Sequence, residues 1–341
     1  MRRRPALFLV LVFVLAALGS PAAGQKYTFV VMGDGRAGLP ERPRLDADGI
    51  NEAILKELVA ETVKLQPKFV LYTGDLVYGY TSREAFRTQL VAWLKLMKPV
   101  YDAKIRVYPV RGNHDASSVG ADEVWRELFG TEGPTSPWAL PSNGPPGETG
   151  MTYWVKEENA LIVGVDEAGT HPHKVRLDWL RGVLEKNDQP LVLIEGHEMA
   201  FRSGHHRDSL ESDPAARDAF IEALGRAGAT MYFAGHDHFY DHQIARSPKD
   251  ADGRSFEVHQ FVAGTAGAPF YQGQDFGGDH GAWTVVHGKH IEMVYGYMLG
   301  VVDGSDVSLH FMGRVAPGVY EPLDSVEVKA ARPAAAAAPS K

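Results

Sequence analysis

Apolar runs alternate with amphipathic stretches over the first two thirds of the chain. Short apolar runs that end in glycine and a polar residue predict buried strands, and apolar positions with a period near 3.6 predict helices between them. We expect helices over residues 50–65 and 86–97, the second ended by Pro99, and further helices over residues 175–184 and 215–224.

The pattern changes after Phe239. Strand-like segments then follow one another without helices between them, and a hairpin is predicted earlier around Glu158 and Asn159. An α/β beginning with a β-rich end predicts an α/β (α+β) fold in which two mixed β-sheets pack as a sandwich flanked by helices, in one domain over residues 25–325. The long loop over residues 133–150 is rich in Pro, Gly and Ser, which is typical of functional or mobile loops.

The two ends of the chain lie outside this predicted domain. A run of arginines, a short apolar run and small residues predict a signal peptide over residues 1–24, and therefore a secreted or periplasmic protein. A retained membrane anchor is the alternative, although the apolar run is shorter than a comfortable membrane span. The Ala/Pro-rich residues 326–341 are predicted to be a disordered tail.

Composition narrows the classes of partner and of site. The sequence has no cysteine, which excludes disulfides, a lipoprotein signal and a thiolate zinc site, and its net charge is −8. A negative chain disfavours nonspecific binding to nucleic acid. We therefore expect no nucleic-acid partner and no stable membrane anchor.

Five polar clusters follow apolar strands directly. They read GDGR (33–36), GDLVY (74–78), GNHD (112–115), EGHE (195–198) and GHDH (235–238). Sites in α/β sheets form beyond the carboxyl ends of the strands, so five such ends are expected to meet at one place. A glycine before each polar residue allows a sharp turn and leaves room for an ion.

The donors in these clusters indicate a metal centre. Mixed carboxylate, amide and imidazole ligands suit hard or borderline transition metals. A bridging carboxylate permits two ions roughly 3.5–4 Å apart, which is the arrangement used in phosphoester hydrolysis.

The order of the clusters resembles the calcineurin-like metallophosphoesterases. That family commonly begins with Asp-x-His, whereas this chain has Asp34, Gly35 and Arg36, and arginine has no lone pair for a metal. The purple acid phosphatase branch lacks the same histidine and has Gly-Asp-x-x-Tyr in the second cluster. Here Asp75 and Tyr78 match that pattern, so the chain resembles a short, single-domain member of this branch.

The resemblance implies a ligand for each cluster. It implies that Asp34, Tyr78 and His238 bind Fe(III) and that Asp75 bridges two ions. The second ion is a divalent metal, namely iron, zinc or manganese. Its implied ligands are Asn113, His197 and His236.

Three further residues are candidates for contact with substrate. The resemblance implies that His114 contacts phosphate and protonates the leaving group. It also implies a substrate-facing histidine in the pair His205-His206, for which we prefer His206. Arg36 is expected either to clamp a phosphate oxygen or to pair with a glutamate of the fourth cluster, Glu195 or Glu198. We do not include His171 and His173, because no partner cluster is evident for them in the sequence.

Together these features imply an exported enzyme that hydrolyses small phosphomonoesters by a metal-activated hydroxide, in the manner of acid phosphatases. A phosphodiesterase or a nucleotide pyrophosphatase on the same scaffold is the nearest alternative. A non-catalytic metal-binding surface protein is the alternative from another class. The sequence leaves the natural substrate, the second metal and the oligomeric state open.

Overall fold

The computed structural model describes residues 26–38, 49–130, 136–169 and 172–329. The predicted signal peptide and nearly all of the predicted tail lie outside the described residues. No helix within the described ranges is both long and apolar enough to cross a membrane.

The helices and strands follow the chain in an order close to that predicted. The helices are α1 (Glu52–Leu65), α2 (Arg83–Asp102), α3 (Asn113–Ala116), α4 (Ala121–Phe129), α5 (Leu177–Glu185) and α6 (Pro214–Arg226). The strands of the first sheet are β1 (Lys26–Met32), β2 (Phe69–Tyr72), β3 (Arg106–Pro109), β11 (Gly296–Asp303), β12 (Asp306–Ala316) and β13 (Val319–Lys329). The strands of the second are β4 (Tyr153–Glu157), β5 (Ala160–Gly164), β6 (Leu191–Glu195), β7 (Met231–Ala234), β8 (Tyr240–Arg246), β9 (Glu257–Ala263) and β10 (Thr284–Ile291).

Both sheets are mixed, as predicted. The first has the order β13-β12-β11-β1-β2-β3, with β1, β2 and β3 parallel and β11 antiparallel to β1. The second has the order β10-β8-β9-β7-β6-β5-β4, with β5, β6, β7 and β9 parallel. The parallel strands therefore lie on one side of the first sheet and at the centre of the second, and the carboxyl ends of β1, β2, β3, β6 and β7 carry the polar clusters.

The two sheets share one apolar core. Phe29 of β1 stacks on Phe69 of β2 and contacts the edge of Phe233 of β7, at centroid distances of 5.4 and 6.1 Å. Buried residues of α1, α2 and α4 join the same core. A second core lies between α5, α6 and the outer face of the second sheet. This arrangement confirms the predicted sandwich with helices outside.

The prediction that Pro99 ends the second helix is wrong. Helix α2 continues through Pro99 to Asp102, and the Ala103 amide donates to the Pro99 carbonyl oxygen. Proline removes only its own amide hydrogen bond to the preceding turn, and the two residues after it, Val100 and Tyr101, gain burial in the core.

The last strand, β13, runs to Lys329 and pairs with β12 as far as Asp306. The folded part of the chain therefore continues four residues past the expected domain end at residue 325. The hairpin around Glu158 and Asn159 is present as β4 and β5.

Candidate metal centre

Three of the strand-end residues adopt the same unusual backbone conformation. Asp34, Asp75 and His236 have φ angles of 61°, 51° and 71°, which is the left-handed region that non-glycine residues seldom occupy. Each follows a parallel strand by two or three residues. Strained backbone of this kind is concentrated at functional sites, and here it turns three polar side chains back over the strand ends.

Two glycines leave the space in which these side chains approach one another. A Cβ atom on Gly112 would lie 2.1 Å from Asp75 Oδ1, and one on Gly235 would lie 2.3 Å from Asp34 Oδ2. The glycines of the clusters are therefore required for close approach, as the sequence indicated.

Donor atoms from different strand ends converge in two groups. The second group consists of Asn113, His197, His236 and Asp75. Asn113 Oδ1 lies 3.0 Å from His197 Nε2 and 3.1 Å from His236 Nδ1, and the two ring nitrogens are 3.1 Å apart. Asp75 Oδ1 is 3.4 Å from His197 Nε2.

No proton lies between the members of the second group. His197 Nδ1 is 2.8 Å from the Thr73 carbonyl oxygen, and His236 Nε2 is 3.0 Å from that of Asp208. A carbonyl only accepts, so these ring nitrogens carry the hydrogens and the facing nitrogens carry lone pairs. Burial lowers the pKa of both histidines, so both rings are neutral at pH 7. Lone pairs that converge without a proton fit a metal cation.

Asp34, Asp75 and His238 are the other set of converging donors, and we call them the first group. His238 Nδ1 donates to the Pro269 carbonyl oxygen at 2.6 Å, so Nε2 carries a lone pair. Asp34 Oδ1 lies 3.6 Å from this nitrogen and is buried without a hydrogen-bond partner. Burial and the nearby Asp75 charge raise the pKa of Asp34.

The cation that contacts the first group is the side chain of Arg36. Its Nε donates to Asp75 Oδ2 at 3.2 Å, and its Nη2 lies 3.2 Å from His238 Nε2. The expected pairing of Arg36 with Glu195 or Glu198 is therefore wrong. Burial alone would raise the pKa of Asp75, but the surrounding imidazoles and Arg36 outweigh it and lower that pKa.

Asp75 connects the two groups. Its Oδ1 faces His197 and accepts a hydrogen bond from the His114 amide at 3.0 Å, while its Oδ2 faces Arg36. This is the geometry expected of a bridging carboxylate between two positive centres.

Tyr78 is half-buried beside the centre. Its ring contacts the rings of His114 and Tyr80 at centroid distances of 5.4 and 6.4 Å, and its carbonyl oxygen accepts from His114 Nδ1. These contacts place Tyr78 next to the site. Its binding to a metal stays a prediction.

The structure brings His114 and His206 to the site as well. His114 Nε2 lies 3.9 Å from Asp75 Oδ2, and burial lowers the pKa of His114 to about 4. His206 stacks on His236 at 3.8 Å, and its Nδ1 lies 2.8 Å from the buried Asp237 carboxylate. His205 is exposed and stacks on Tyr271 instead, so His206 is the one nearer the ligands.

His206, Asp208 and His236 also lie close enough to hold an ion. His236 Nε2 already donates its hydrogen to the Asp208 carbonyl oxygen, so it has no lone pair for such an ion. The lone pair of His236 is on Nδ1 and faces the second group. His206, Asp208 and His236 are therefore not a separate metal site.

Sequence reasoning missed three residues around the ligands. The Tyr80 hydroxyl accepts from Asn113 Nδ2 at 3.1 Å, and Tyr271 stacks on His238 at 4.0 Å. Glu167 accepts from the amides of His197 and Glu198 at 2.8 and 2.7 Å. Of these three, only Tyr271 has a signal in the sequence, since it lies in the aromatic-rich segment 269–283.

Another histidine does have a partner near the site. His173 Nδ1 is 2.9 Å from Glu198 Oε1, and this contact raises the pKa of His173. His171 lies outside the described residues. Glu198 is the residue after His197, so its contact with His173 helps to fix the turn that carries this ligand.

The family model described as calcineurin-like phosphoesterase matches residues 23–240, well over half of the chain. That family implies a binuclear metal centre, and the two groups above are its candidate ligands. A search among curated proteins gives no match.

Solved structures with the same fold are distant in sequence. The purple acid phosphatase PPD1 from yellow lupin seeds is 15% identical, with a TM-score of 0.57. It is matched over 91% of this chain, which spans only 55% of the lupin protein's length. GAP50, described as the anchor in the inner membrane complex of Plasmodium, is 13% identical with a TM-score of 0.59 over 90% of both chains. A PhoD structure is 11% identical, with a TM-score of 0.58 over 91% of this chain and 70% of that one. At these identities the likeness establishes the fold.

Proposed function

We propose that this chain, which belongs to the calcineurin-like phosphoesterase family, is an exported phosphomonoesterase of the acid phosphatase type. The observation that carries the proposal is the convergence of Asn113 Oδ1, His197 Nε2 and His236 Nδ1 without a proton between them. Lone pairs that converge in this way repel one another unless a cation lies between them. A metal at this place, beside buried acid-base groups, supports hydrolysis of a small phosphorylated substrate.

The second group would hold a divalent iron, zinc or manganese ion. When bound, such an ion lowers the pKa of a coordinated water and polarises a phosphoryl oxygen. The side chains of this chain orient that chemistry, since the Thr73 and Asp208 carbonyls fix the imidazoles and Tyr80 fixes the amide.

His114 is the candidate proton donor to the leaving alkoxide. Its Nδ1 hydrogen is used on the Tyr78 carbonyl, so Nε2 is the atom that faces the site, and with a pKa lowered to about 4 this nitrogen has a hydrogen to donate only in acid. His206 is the second candidate, because Asp237 fixes its Nδ1 and its ring stacks on that of His236. The Arg36 guanidinium offers its positive charge to phosphate oxygens on the opposite side of Asp75.

Fe(III) held by Asp34, Tyr78 and His238 remains a prediction of the resemblance. It requires Arg36 to leave His238 Nε2 and Asp75 Oδ2. Tyrosinate bound to Fe(III) gives a visible absorption band, so the colour of the purified protein bears on this prediction.

The test is hydrolysis of p-nitrophenyl phosphate compared with bis(p-nitrophenyl) phosphate, with Mn²⁺, Zn²⁺ or Fe²⁺ present. We expect faster release of nitrophenol from the monoester. His197→Ala removes one of the three converging donors, and we expect it to lower kcat/KM by about a hundredfold or more. The exposed Arg87 lies on α2 and pairs with Glu127, so Arg87→Ala is the matched control.

Two other results would change the assignment. Preference for the diester would favour the phosphodiesterase alternative. Metal binding without hydrolysis of either ester would contradict the proposed activity and favour a non-catalytic binding protein.

A further inference from the structure

The Arg36 guanidinium lies where the donors of the first group meet. Its Nε is 3.2 Å from Asp75 Oδ2 and its Nη2 is 3.2 Å from His238 Nε2. Asp34 Oδ1, the third donor, is 3.6 Å from the same His238 nitrogen. A positive charge therefore already occupies the space between these side chains.

The lone pair of His238 has room for one partner. Its Nδ1 hydrogen is donated to the Pro269 carbonyl, which leaves a single lone pair on Nε2. That lone pair accepts from Arg36 Nη2. A metal at the first group would have to displace this hydrogen bond.

Arg36 is held firmly in place. Its Nη1 donates to the Ala37 carbonyl oxygen at 3.1 Å, and its Nη2 is 3.5 Å from the Tyr271 hydroxyl. Its backbone forms a β-bridge with Ile50, and the residue is only 5% exposed. Tyr271 also stacks on His238, so the guanidinium is enclosed on the side of the first group.

A metal ion and the guanidinium are poor neighbours. Arginine stays protonated in proteins, and two positive charges a few ångströms apart repel strongly where water is excluded. In the second group, by contrast, the converging atoms of Asn113, His197 and His236 have no positively charged side chain among them.

We infer that Arg36 takes the place of the first metal ion and that the chain binds one metal ion, at the second group. The inference rests on the metal centre of the proposed function, although its test does not require turnover. The site then combines one metal ion with a fixed guanidinium on the two sides of Asp75.

The experiment is a metal count on the wild type and on Arg36→His. Each tag-free protein is dialysed against excess Mn²⁺ and then against buffer, and bound manganese is measured by mass spectrometry. We expect one ion per wild-type chain. We expect two per Arg36→His chain, because an imidazole would replace the guanidinium beside the unpartnered Asp34 Oδ1. Arg87→His controls for the added histidine and is expected to bind one ion.

Two ions per wild-type chain would overturn the inference, and so would none. Iron in the purified wild type with a visible band that is lost in Tyr78→Phe would also overturn it. One ion in a folded Arg36→His variant, as judged by circular dichroism, would show that Arg36 is not the competitor. If that variant does not fold, the wild-type count decides alone. A chain that binds one ion but hydrolyses no ester contradicts the proposed function and leaves this inference standing.

Discussion

Backbone carbonyls orient the imidazoles of the centre at the scale of single residues. Each ligand histidine donates one ring hydrogen to a carbonyl, so its other nitrogen is left for a cation. The clusters in the sequence predicted the ligand types. They did not predict the tautomers, because the carbonyls come from segments that only the fold brings near. The pairs are His197 with Thr73, His236 with Asp208, and His238 with Pro269.

The amide of Asn113 is oriented by Tyr80, a residue that no motif in the sequence singles out. Tyr80 is 52% exposed, yet its hydroxyl accepts from Asn113 Nδ2 and directs Oδ1 to the histidines. We expect Tyr80→Phe to weaken binding of Mn²⁺ by about tenfold, since such supporting contacts tune rather than create a site. Isothermal titration measures the change.

Tyr101→Phe is the control for this prediction. The Tyr101 hydroxyl is buried without a partner, so its removal should leave Mn²⁺ affinity unchanged. Equal affinity in the wild type and Tyr80→Phe would show that Asn113 keeps its orientation without Tyr80.

At the scale of elements, the turn after β6 is held by a buried carboxylate. Glu167 accepts from the amides of His197 and Glu198 and from the Tyr232 hydroxyl. Burial and the neighbouring Glu198 raise the pKa of Glu167 to about 8. Glu167 is therefore a positioning residue for His197, not a ligand.

We expect Glu167→Ala to lower both stability and metal affinity. Two buried amides would lose their acceptor, at about 1–3 kcal/mol each, and the turn that aims His197 would loosen. A loss of Mn²⁺ affinity of about 10- to 100-fold is expected by titration, with a lower Tm by calorimetry.

Glu167→Gln separates the acceptor oxygen from the ionisable carboxyl group. Glutamine keeps one acceptor oxygen, so its affinity for Mn²⁺ should stay near that of the wild type. A glutamine variant as weak as the alanine variant would contradict the positioning role and point to a need for the ionisable carboxyl group itself.

Strand β8 is an element that the apolar pattern of the sequence does not predict, because it is buried through polar side chains. Strand β8 carries buried Asp241, His242 and Gln243, which break the apolar pattern expected of a central strand. Two of these side chains contact histidines of neighbouring strands, since Asp241 Oδ1 is 2.9 Å from His290 Nδ1 and His242 Nε2 is 3.0 Å from His259 Nδ1. Periodicity detects apolar burial, so a strand buried through hydrogen bonds gives no such signal.

At the scale of the whole molecule, the sandwich was predictable because its central strands are short, apolar and separated by helices. The relation between the two groups of donors at the metal centre was not predictable from the sequence. It depends on how β1 and β2 of one sheet face β6 and β7 of the other, and on the partners that Arg36 finds there. The five clusters predicted a meeting point, whereas the competition between arginine and metal appears only in three dimensions.

The second sheet should limit stability in acid. Burial, and then the neighbouring His259, lower the pKa of His242 to about 4, and burial also lowers that of His259. An unfolded histidine titrates near pH 6.5, so between pH 6.5 and 4 the unfolded chain binds more protons than the folded one. The stability from this pair is therefore complete above pH 6.5 and is lost as the pH falls toward 4.

We expect Tm to fall steadily from pH 7 to pH 4.5 and to fall less in His242→Gln. Glutamine keeps a polar partner for His259 but does not titrate, so up to about 3 kcal/mol of the acid loss should disappear near pH 4. The measurement is the slope of Tm against pH, because the variant's absolute Tm also reflects lost stacking on Phe261. Parallel slopes would contradict the prediction. A smaller slope in His242→Gln would mean that acid inactivation of any phosphatase activity comes partly from unfolding, through the His242–His259 pair and not through the metal centre.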